Sequence, residues 1–255
     1  IYKAADQCYT EALAIYRELP ESATCVDAAN TLFKQGNNYH SVGQYEAADR
    51  CYTEALAIYR GISEGDTSVF LANILYNQGT NYNAMGQYVD AIQSYTEALA
   101  IHREISQGAA SLDVANILRD QGDVYNTRRQ YNNADESYTE ALTIHREISR
   151  GAASVNVART LLDQCANYKD MKRYRNAALC NAESLAIFKN ISKGEDSIDI
   201  AETLSARGDN YRATGREMRG REDCRKALTI YQRLDPDKVI ILRLKESNFT
   251  SLWWN

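Results

Sequence analysis

Apolar and polar positions follow a pattern that recurs every forty-three residues along the chain. The clearest copy is YVDAIQSYTEALAI, in which Tyr88, Ala91, Tyr95 and Ala98 stand three or four residues apart. That spacing places the four residues on one face of an α-helix. Other copies begin at Tyr2, Tyr45, Tyr131 and Tyr174, and a fainter one ends at Ile230. A fixed period of this length predicts an array of stacked repeats.

Each period also predicts another helix before this one. Ala72, Leu75, Gly79 and Tyr82 recur at i, i+3, i+7 and i+10, which makes one apolar stripe. A column of serines, predicted to cap these helices, precedes the stripe at Ser68, Ser111, Ser154 and Ser197.

The ends of these first helices carry a second signal. Glycine stands just beyond the stripe at Gly43, Gly86 and Gly215. Glycine there predicts a left-handed residue that ends the helix. Arg129 and Lys172 occupy the same position in the third and fourth repeats. A left-handed backbone at a residue with a β-carbon costs up to about 1–2 kcal/mol, so these two turns are predicted to be less stable.

The second helix of a period is predicted from about Tyr88 to Ile105. Its alanines, with glycines such as Gly79 on the first helix, let two helix backbones approach closely. Seventeen of the eighteen tyrosines fall into four repeat columns, and Tyr76 is the exception. These columns predict core packing and not phosphorylation sites or stacking platforms.

The period sets the predicted boundaries. Residues 1–233 are predicted to form the array: an unpaired second helix over 2–19, then five helix pairs that start near 24, 67, 110, 153 and 196. Residues 234–255 are predicted to form a capping helix and a Trp-rich tail. Nothing in the pattern alternates with a period of two, so no strands are expected. Because the chain begins at Ile1, we expect it to be a window from a longer protein.

The pattern resembles the tetratricopeptide repeat (TPR). The family's large, glycine and aromatic positions match Leu75, Gly79 and Tyr82, and its second-helix positions match Ala91, Tyr95 and Ala98. Departures are the missing closing proline, a period longer than the usual one of about 34, and a column of glutamines in place of leucine: Gln35, Gln78, Gln121 and Gln164. The V-A-x-x-L entries that begin at Val114 and Val157 are similar to those of kinesin light chains. The resemblance implies an all-α fold, a right-handed α-solenoid of stacked antiparallel helix pairs.

The resemblance also implies a peptide-binding groove on the concave face, lined by the first helices. Carried over position by position, its residues are Asn30, Phe33, Asn37, His40, Asn73, Tyr76, Thr80, Asn83, Asn116, Arg119, Asp123, Asn126, Arg159 and Lys169. Asparagine recurs at the second position three times, at Asn30, Asn73 and Asn116. Such amides could bind an extended peptide backbone, although asparagine is also simply tolerated near a helix N-terminus.

A clamp for carboxylates, found in the chaperone-binding members of the family, is broken here. Asn37 and Asn77 match two of its positions, but Phe33, Asn116 and Asp120 stand where basic residues are needed. We therefore expect no binding of an acidic chaperone tail.

The charge pattern limits the classes of molecule that the chain is expected to bind. The formal net charge is −5, both signs are interspersed, and no basic stripe suited to phosphates is visible. No apolar run approaches eighteen residues, which argues against a membrane span. The expected partners are therefore proteins, and neither a nucleic acid nor a membrane span is expected.

Candidate chemistry is sparse. The six cysteines lack metal-ligand spacing, and five of them occupy small-residue columns, which favours reduced thiols and a cytoplasmic setting over disulfides or zinc. His102 and His145 share a column with Tyr59 and Tyr231, which predicts packing. No catalytic set or phosphate loop is visible, so we expect no enzyme, cofactor or metal.

Three functional hypotheses follow. The first is a non-catalytic, adaptor-like scaffold that binds a peptide or helix of a partner in the groove. The second is a permanent structural subunit of a large multi-protein assembly, cytoskeletal or ciliary. The third is the sensor or regulatory arm of a larger enzyme or NTPase.

Overall fold

The computed structural model describes residues 2–18, 21–62 and 69–235. Within these residues the chain forms eleven α-helices and no β-strand. They are α1 (Tyr2–Glu18), α2 (Glu21–Ser41), α3 (Tyr45–Ile62), α4 (Val69–Ala84), α5 (Tyr88–Ser106), α6 (Leu112–Thr127), α7 (Tyr131–Ser149), α8 (Val155–Asp170), α9 (Tyr174–Ile191), α10 (Ile198–Ala213) and α11 (Glu217–Leu234). The predicted all-α fold is confirmed. The predicted capping helix and Trp-rich tail lie outside the described residues.

The chain divides after Arg129 into two compact units. The first contains α1 to α6 and the second contains α7 to α11. Within the first unit, the Tyr52 hydroxyl donates to Asn37 at 2.7 Å and the Tyr59 hydroxyl donates to Asn30 at 3.1 Å. Because an earlier residue of α3 meets a later residue of α2, these two helices run antiparallel.

Small residues bring the paired helices together. A β-carbon at Gly36 would lie 2.6 Å from the Tyr52 ring, and one at Gly79 would lie 2.8 Å from the Tyr95 ring. Both tyrosines are almost completely buried. The prediction that tyrosine fills the space beside a small residue is therefore confirmed at these positions.

In the fourth helix pair, both residues of this glycine–tyrosine contact are replaced. Cys165 replaces the glycine and Asn181 replaces the tyrosine, and both side chains are buried. The larger residue on α8 thus accompanies a smaller one on α9. In the fifth pair Gly208 returns, and a β-carbon there would lie 2.7 Å from Cys224 Sγ.

The helix ends largely follow the predicted pattern. Ser111 and Ser197 accept hydrogen bonds from the backbone amides of Val114 and Ile200, whereas the Ser154 side chain makes no such bond. Ser68 lies outside the described residues. The C-terminal turns are left-handed at every predicted position: φ is 77° at Gly43, 74° at Gly86, 75° at Gly215, 60° at Arg129 and 59° at Lys172.

A column of asparagines connects successive pairs. Each side-chain amide donates to the backbone carbonyl of the tyrosine that begins the preceding second helix. The bonds are Asn38 to Tyr2 (3.2 Å), Asn81 to Tyr45 (2.8 Å), Asn167 to Tyr131 (2.9 Å) and Asn210 to Tyr174 (3.2 Å). Because a helix's first-turn geometry is fixed, each bond sets the register between neighbouring pairs. The third pair has Val124 at this position.

The glutamines that replace the family's leucine form a second polar contact between pairs. Buried Gln78 donates to Asp49 at 3.1 Å, to Thr53 at 3.3 Å and to the Tyr82 hydroxyl at 3.2 Å. Gln35 and Gln164 repeat the bonds to aspartate and threonine. A buried amide with these partners meets its hydrogen-bonding requirement, which explains why leucine is not needed here.

The fifth pair replaces this contact with an ion pair. Arg207 occupies the glutamine position, and Asp223 occupies the position held by Cys51 and Cys180. Arg207 Nε and Nη2 donate to the two carboxylate oxygens of Asp223 at 2.7 and 2.9 Å. Asp223 is only 5% exposed. The two hydrogen bonds from Arg207 therefore compensate for the hydration that the buried carboxylate loses.

Two glutamates of the acidic column, Glu97 and Glu183, form ion pairs with an arginine of the preceding second helix. Arg60 lies 2.6 Å from Glu97, and Arg146 lies 2.7 Å from Glu183. All four side chains are about half exposed, so each pair contributes at most about 1 kcal/mol.

The cysteines and histidines behave as packing residues. Cys51 and Cys180 are buried, and burial raises the pKa of each thiol to about 11. His102 and His145 are buried in their aromatic column, as predicted. Within the described residues, no group of three His, Cys, Asp or Glu side chains is arranged to hold a metal ion.

Candidate peptide-binding face

The predicted groove residues fall into the two units. Those of the first unit lie on α2, α4 and α6, and we call this surface the first-helix face: Asn30, Phe33, Asn37, His40, Asn73, Tyr76, Thr80, Asn83, Asn116, Arg119, Asp123 and Asn126. Each of these side chains is half-buried. Contacts between helices join them, since His40 Nδ1 lies 3.0 Å from Asn81 Oδ1.

One end of the first-helix face is aromatic. The Phe33 ring meets the Phe70 ring edge-on at 5.2 Å, and Phe70 stacks on Tyr59 at 4.7 Å. Phe33 and Phe70 are half-buried, which leaves part of each ring accessible. Sequence reasoning missed Phe70, although a signal existed. It stands in a column that elsewhere holds Asp27, Asp113, Asn156 and Asp199.

The centre of the face is occupied by a polar cluster. The Tyr76 hydroxyl donates to Asp120 at 2.6 Å, and Arg119 Nη2 donates to the other Asp120 oxygen at 2.9 Å. Burial, followed by the Asp120 charge, raises the pKa of Tyr76 well above its ordinary value. The cluster fixes Tyr76 against α6 and neutralises the local charge. Asp120 was predicted only as a break in the clamp, and its bond to Tyr76 was missed.

The asparagines of the first-helix face differ in their hydrogen bonding. Asn30 accepts from Tyr59, and Asn37 accepts from Tyr52, so packing already uses these two carbonyl oxygens. The side chains of Asn73 and Asn116 form no hydrogen bond with the described residues. These two amides therefore remain available to a ligand, each with a donor and an acceptor. Thr80 is engaged, because its hydroxyl donates to the Tyr76 carbonyl and lies 3.2 Å from the Tyr95 hydroxyl.

The remaining predicted residues lie in the second unit. Arg159, on α8, donates to Asp199 of α10 at 3.2 Å and is exposed. Lys169 is half-buried near the end of α8. Arg159 is therefore paired with a carboxylate of the next first helix.

Comparison with known proteins identifies the repeat. A family model for the tetratricopeptide repeat matches residues 2–61, 27–104 and 70–147, which together cover more than half of the chain. The chain belongs to the tetratricopeptide repeat family. The TPR fold is consistent with protein–protein interaction, and no catalytic family is indicated. No curated protein matches this TPR chain in a sequence search.

Solved structures confirm the TPR-like solenoid fold. BtubC (BKLC) from P. vanneervenii is 20% identical, with a TM-score of 0.77 and coverage of 92% of both chains. A putative kinesin light chain from Podosopora anserina, with nearly identical TPR-like repeats, is 14% identical. Its TM-score is 0.67, and the match covers 81% of this chain and 96% of that one. At these identities the likeness shows the fold alone.

A third neighbour is much longer than this TPR chain. It is a signal transduction ATPase with numerous domains, PH0952 from Pyrococcus horikoshii, described as having a tetratricopeptide repeat sensor. The identity is 16%, the TM-score is 0.68, and the match covers 89% of this chain and 34% of that one.

Among the helices of the described residues, none is both long and apolar enough to cross a bilayer.

Proposed function

We propose that this TPR chain is a non-catalytic, adaptor-like scaffold that binds an extended peptide or a helix of a partner protein on the first-helix face. The observation that carries the proposal is the pair Asn73 and Asn116, whose amides have no hydrogen-bond partner among the described residues. They lie on successive first helices of one unit. Amides in this arrangement can bind successive peptide groups of a ligand backbone.

The neighbouring side chains support a ligand with little net charge. Arg119 is paired with Asp120, and Tyr76 is bonded to the same carboxylate. The partly accessible rings of Phe33 and Phe70 offer apolar contact at one end of the face. Aromatic rings beside satisfied polar groups suit a segment that carries an apolar anchor. The partner segment is therefore proposed to be uncharged or of mixed charge.

The test uses Asn73→Ala/Asn116→Ala in the full protein, purified from its own cells, with mass spectrometry of the proteins captured. Partners of the wild-type protein should be lost by about tenfold or more, since two amide contacts contribute roughly 1 kcal/mol each. The matched control is Gln44→Ala/Gln93→Ala, which removes two exposed amides outside the face. The helical circular dichroism of both variants should equal that of the wild type. Unchanged capture by the Asn variant would reject the first-helix face as the site.

A second candidate function is a sensor arm of a larger NTPase, and the similarity to the PH0952 sensor favours it. The remaining hypothesis, a permanent structural subunit, predicts a fixed and stoichiometric set of captured proteins instead of a few salt-sensitive ones.

We propose a cytoplasmic location, with cytoskeletal association if the chain is a structural subunit. Cys8, Cys51, Cys165 and Cys180 form no disulfide bond within the described residues, which supports a reducing compartment.

A further inference from the structure

The second unit carries a cluster of exposed basic residues, none of which is a predicted groove residue. We call it the basic edge: Lys172, Arg173, Arg175, Arg216 and Arg219. Its members lie in the turn from α8 to α9, in the turn from α10 to α11, and in the first turn of each second helix. Both turns join a first helix to a second helix, so they lie at the same end of their pairs.

Direct contacts bring the two turns together. Asn210, near the end of α10, donates to the carbonyl of Tyr174 at 3.2 Å, so Arg173 and Arg175 lie beside the last turn of α10. Arg212 packs against Gly220, where a β-carbon would lie 2.7 Å from Arg212 Cγ. The α10–α11 turn is therefore adjacent to the α8–α9 turn.

The basic edge differs from the rest of the unit in its lack of ion pairs. Most other arginines of the second unit have a carboxylate partner: Arg146–Glu183, Arg159–Asp199, Arg207–Asp223, Arg212–Asp209, Arg221–Glu217 and Arg233–Asp196. Within the described residues, no member of the basic edge forms an ion pair. Of the nearby carboxylates, Asp209 is paired with Arg212 and Glu217 is paired with Arg221. Asp170 then remains as the nearby negative charge, beside the five positive charges of the basic edge.

Lys172 occupies a position where the fold favours glycine. Its φ is 59°, and the equivalent residues Gly43, Gly86 and Gly215 have φ between 74° and 77°. A residue with a β-carbon in this conformation costs up to about 1–2 kcal/mol, and Arg129, the equivalent residue of the third pair, has the same conformation with a φ of 60°. The equivalent turns after α2 and α4 read Gly-Gln-Tyr and carry no basic residue. The basic edge is therefore not a requirement of the turn.

The ends of two helices add to the positive potential. Arg173 and Arg216 are the N-cap residues of α9 and α11, and neither forms a side-chain cap bond. The amide dipoles of both helices begin there and favour negative charge. Four of the five members are arginines, whose planar guanidinium groups bind carboxylates in a bidentate manner.

We propose that the basic edge binds an acidic segment of a partner protein. This surface is separate from the first-helix face, and its test does not depend on the proposed function. A continuous phosphate backbone fits less well, because Asp170, Asp209 and Glu217 are interspersed among the positive charges. Two exposed apolar side chains also lie on these helices: Leu179, 67% exposed, and Met218, 80% exposed. They offer contact to protein side chains and none to phosphates.

The test measures binding of a fluorescent ten-residue polyglutamate peptide to the full chain by anisotropy. The variant is Lys172→Gly/Arg173→Gln/Arg216→Gln, which introduces residues found at the same positions of the first unit, namely Gly43, Gly86, Gln44 and Gln87. It should bind at least about tenfold more weakly, a loss of about 1.4 kcal/mol. The control Lys189→Gln/Lys193→Gln/Arg225→Gln removes three exposed charges outside the basic edge and should retain the wild-type affinity.

Salt and melting temperature complete the test. Wild-type affinity should fall as salt increases, because screening shortens the reach of exposed charges to about 3 Å at 1 M. The variant should melt no lower than the wild type, since Lys172→Gly relieves a strained backbone. Equal affinity in the variant, or an equal loss in the control, would overturn the proposal. Tighter binding of a single-stranded oligothymidylate or of phosphatidylserine vesicles, with the same dependence on the variant, would overturn it in favour of nucleic acid or membrane.

Discussion

The side-chain amide of Asn81 donates a 2.8 Å hydrogen bond to the backbone carbonyl of Tyr45, and so joins the last turn of α4 to the first turn of α3. Asn81 is completely buried. The same bond recurs from Asn167 to Tyr131 in the second unit. In a repeat array each interface contributes separately to stability, so one bond repeated at several interfaces has a cumulative effect.

Replacing this amide should loosen the interface it joins. Asn81→Ala removes a buried hydrogen bond and leaves a cavity, which should lower the free energy of unfolding by about 1–3 kcal/mol. Asn38→Ala is the matched control, since Asn38 makes a longer bond of 3.2 Å in a more exposed setting. Urea denaturation followed by circular dichroism measures both. If Asn38→Ala lowered the free energy of unfolding as much as Asn81→Ala, the contribution of this hydrogen bond would not depend on burial.

Glycine at the paired-helix contact should tolerate no β-carbon. Gly79→Ala should destabilise the chain by about 1–3 kcal/mol, because the new methyl group would meet the buried Tyr95 ring at 2.8 Å. Gly61 offers the control, since a β-carbon there would have no atom within 4 Å. Gly61→Ala should stabilise α3 through helix propensity by at most about 0.5–1 kcal/mol, because Gly61 is the second-last residue of the helix. Thermal melts with the same sign of change for both variants would contradict the steric explanation.

The ion pair of the fifth helix pair should be replaceable by the residues that another pair uses. Arg207→Gln alone leaves Asp223 buried without its cation and should cost about 3–5 kcal/mol. Arg207→Gln/Asp223→Ser reproduces the combination of Gln78 with Ser94 and should recover most of that loss. A double-mutant cycle of unfolding free energies measures the coupling. Additive losses would show that the two residues act independently.

Stability should fall in mild acid because of His102. Burial lowers the pKa of His102 below 6.5, and Asp113, with an oxygen 4.0 Å from Nδ1, offsets this in part. The unfolded chain then binds the proton more readily than the folded one. The contribution is present above pH 6.5 and is lost as the pH falls toward the lower folded pKa, by at most about 1.4 kcal/mol per pH unit. His102→Tyr, which copies Tyr59, should reduce the difference between urea midpoints at pH 7.5 and pH 5.5. An unchanged difference would assign the pH dependence to other groups.

The sequence predicted the elements whose signals are periodic. The helices, the left-handed turns at Arg129 and Lys172, and the contact between Gly79 and Tyr95 follow from residue type and spacing, because each repeat must bury the same surfaces. Polar contacts between repeats were not predicted, since hydrogen-bond partners some 25 to 44 residues apart leave no local signal. Gln78 was recognised only as a departure from leucine, and its bond to Asp49 explains the departure.

The candidate face was predicted less completely than the fold. Position within the repeat placed Tyr76 and Asn73 on a first helix, but the Tyr76 bond to Asp120 depends on a side chain of the next repeat. Likewise, the basic edge was not visible as a run of charges. Its residues come from two turns forty-three residues apart, and their lack of carboxylate partners becomes evident only from the side-chain contacts.

Site-specific photocrosslinking tests the proposed binding face most directly. A benzophenone amino acid would replace Asn73 in one variant of the full protein and Gln93, which is exposed on α5, in another. In the protein's own cells, the Asn73 position should crosslink to a discrete partner band, and the Gln93 position should not. Crosslinking from Gln93 with none from Asn73 would contradict binding on the first-helix face and would place the partner on the second helices.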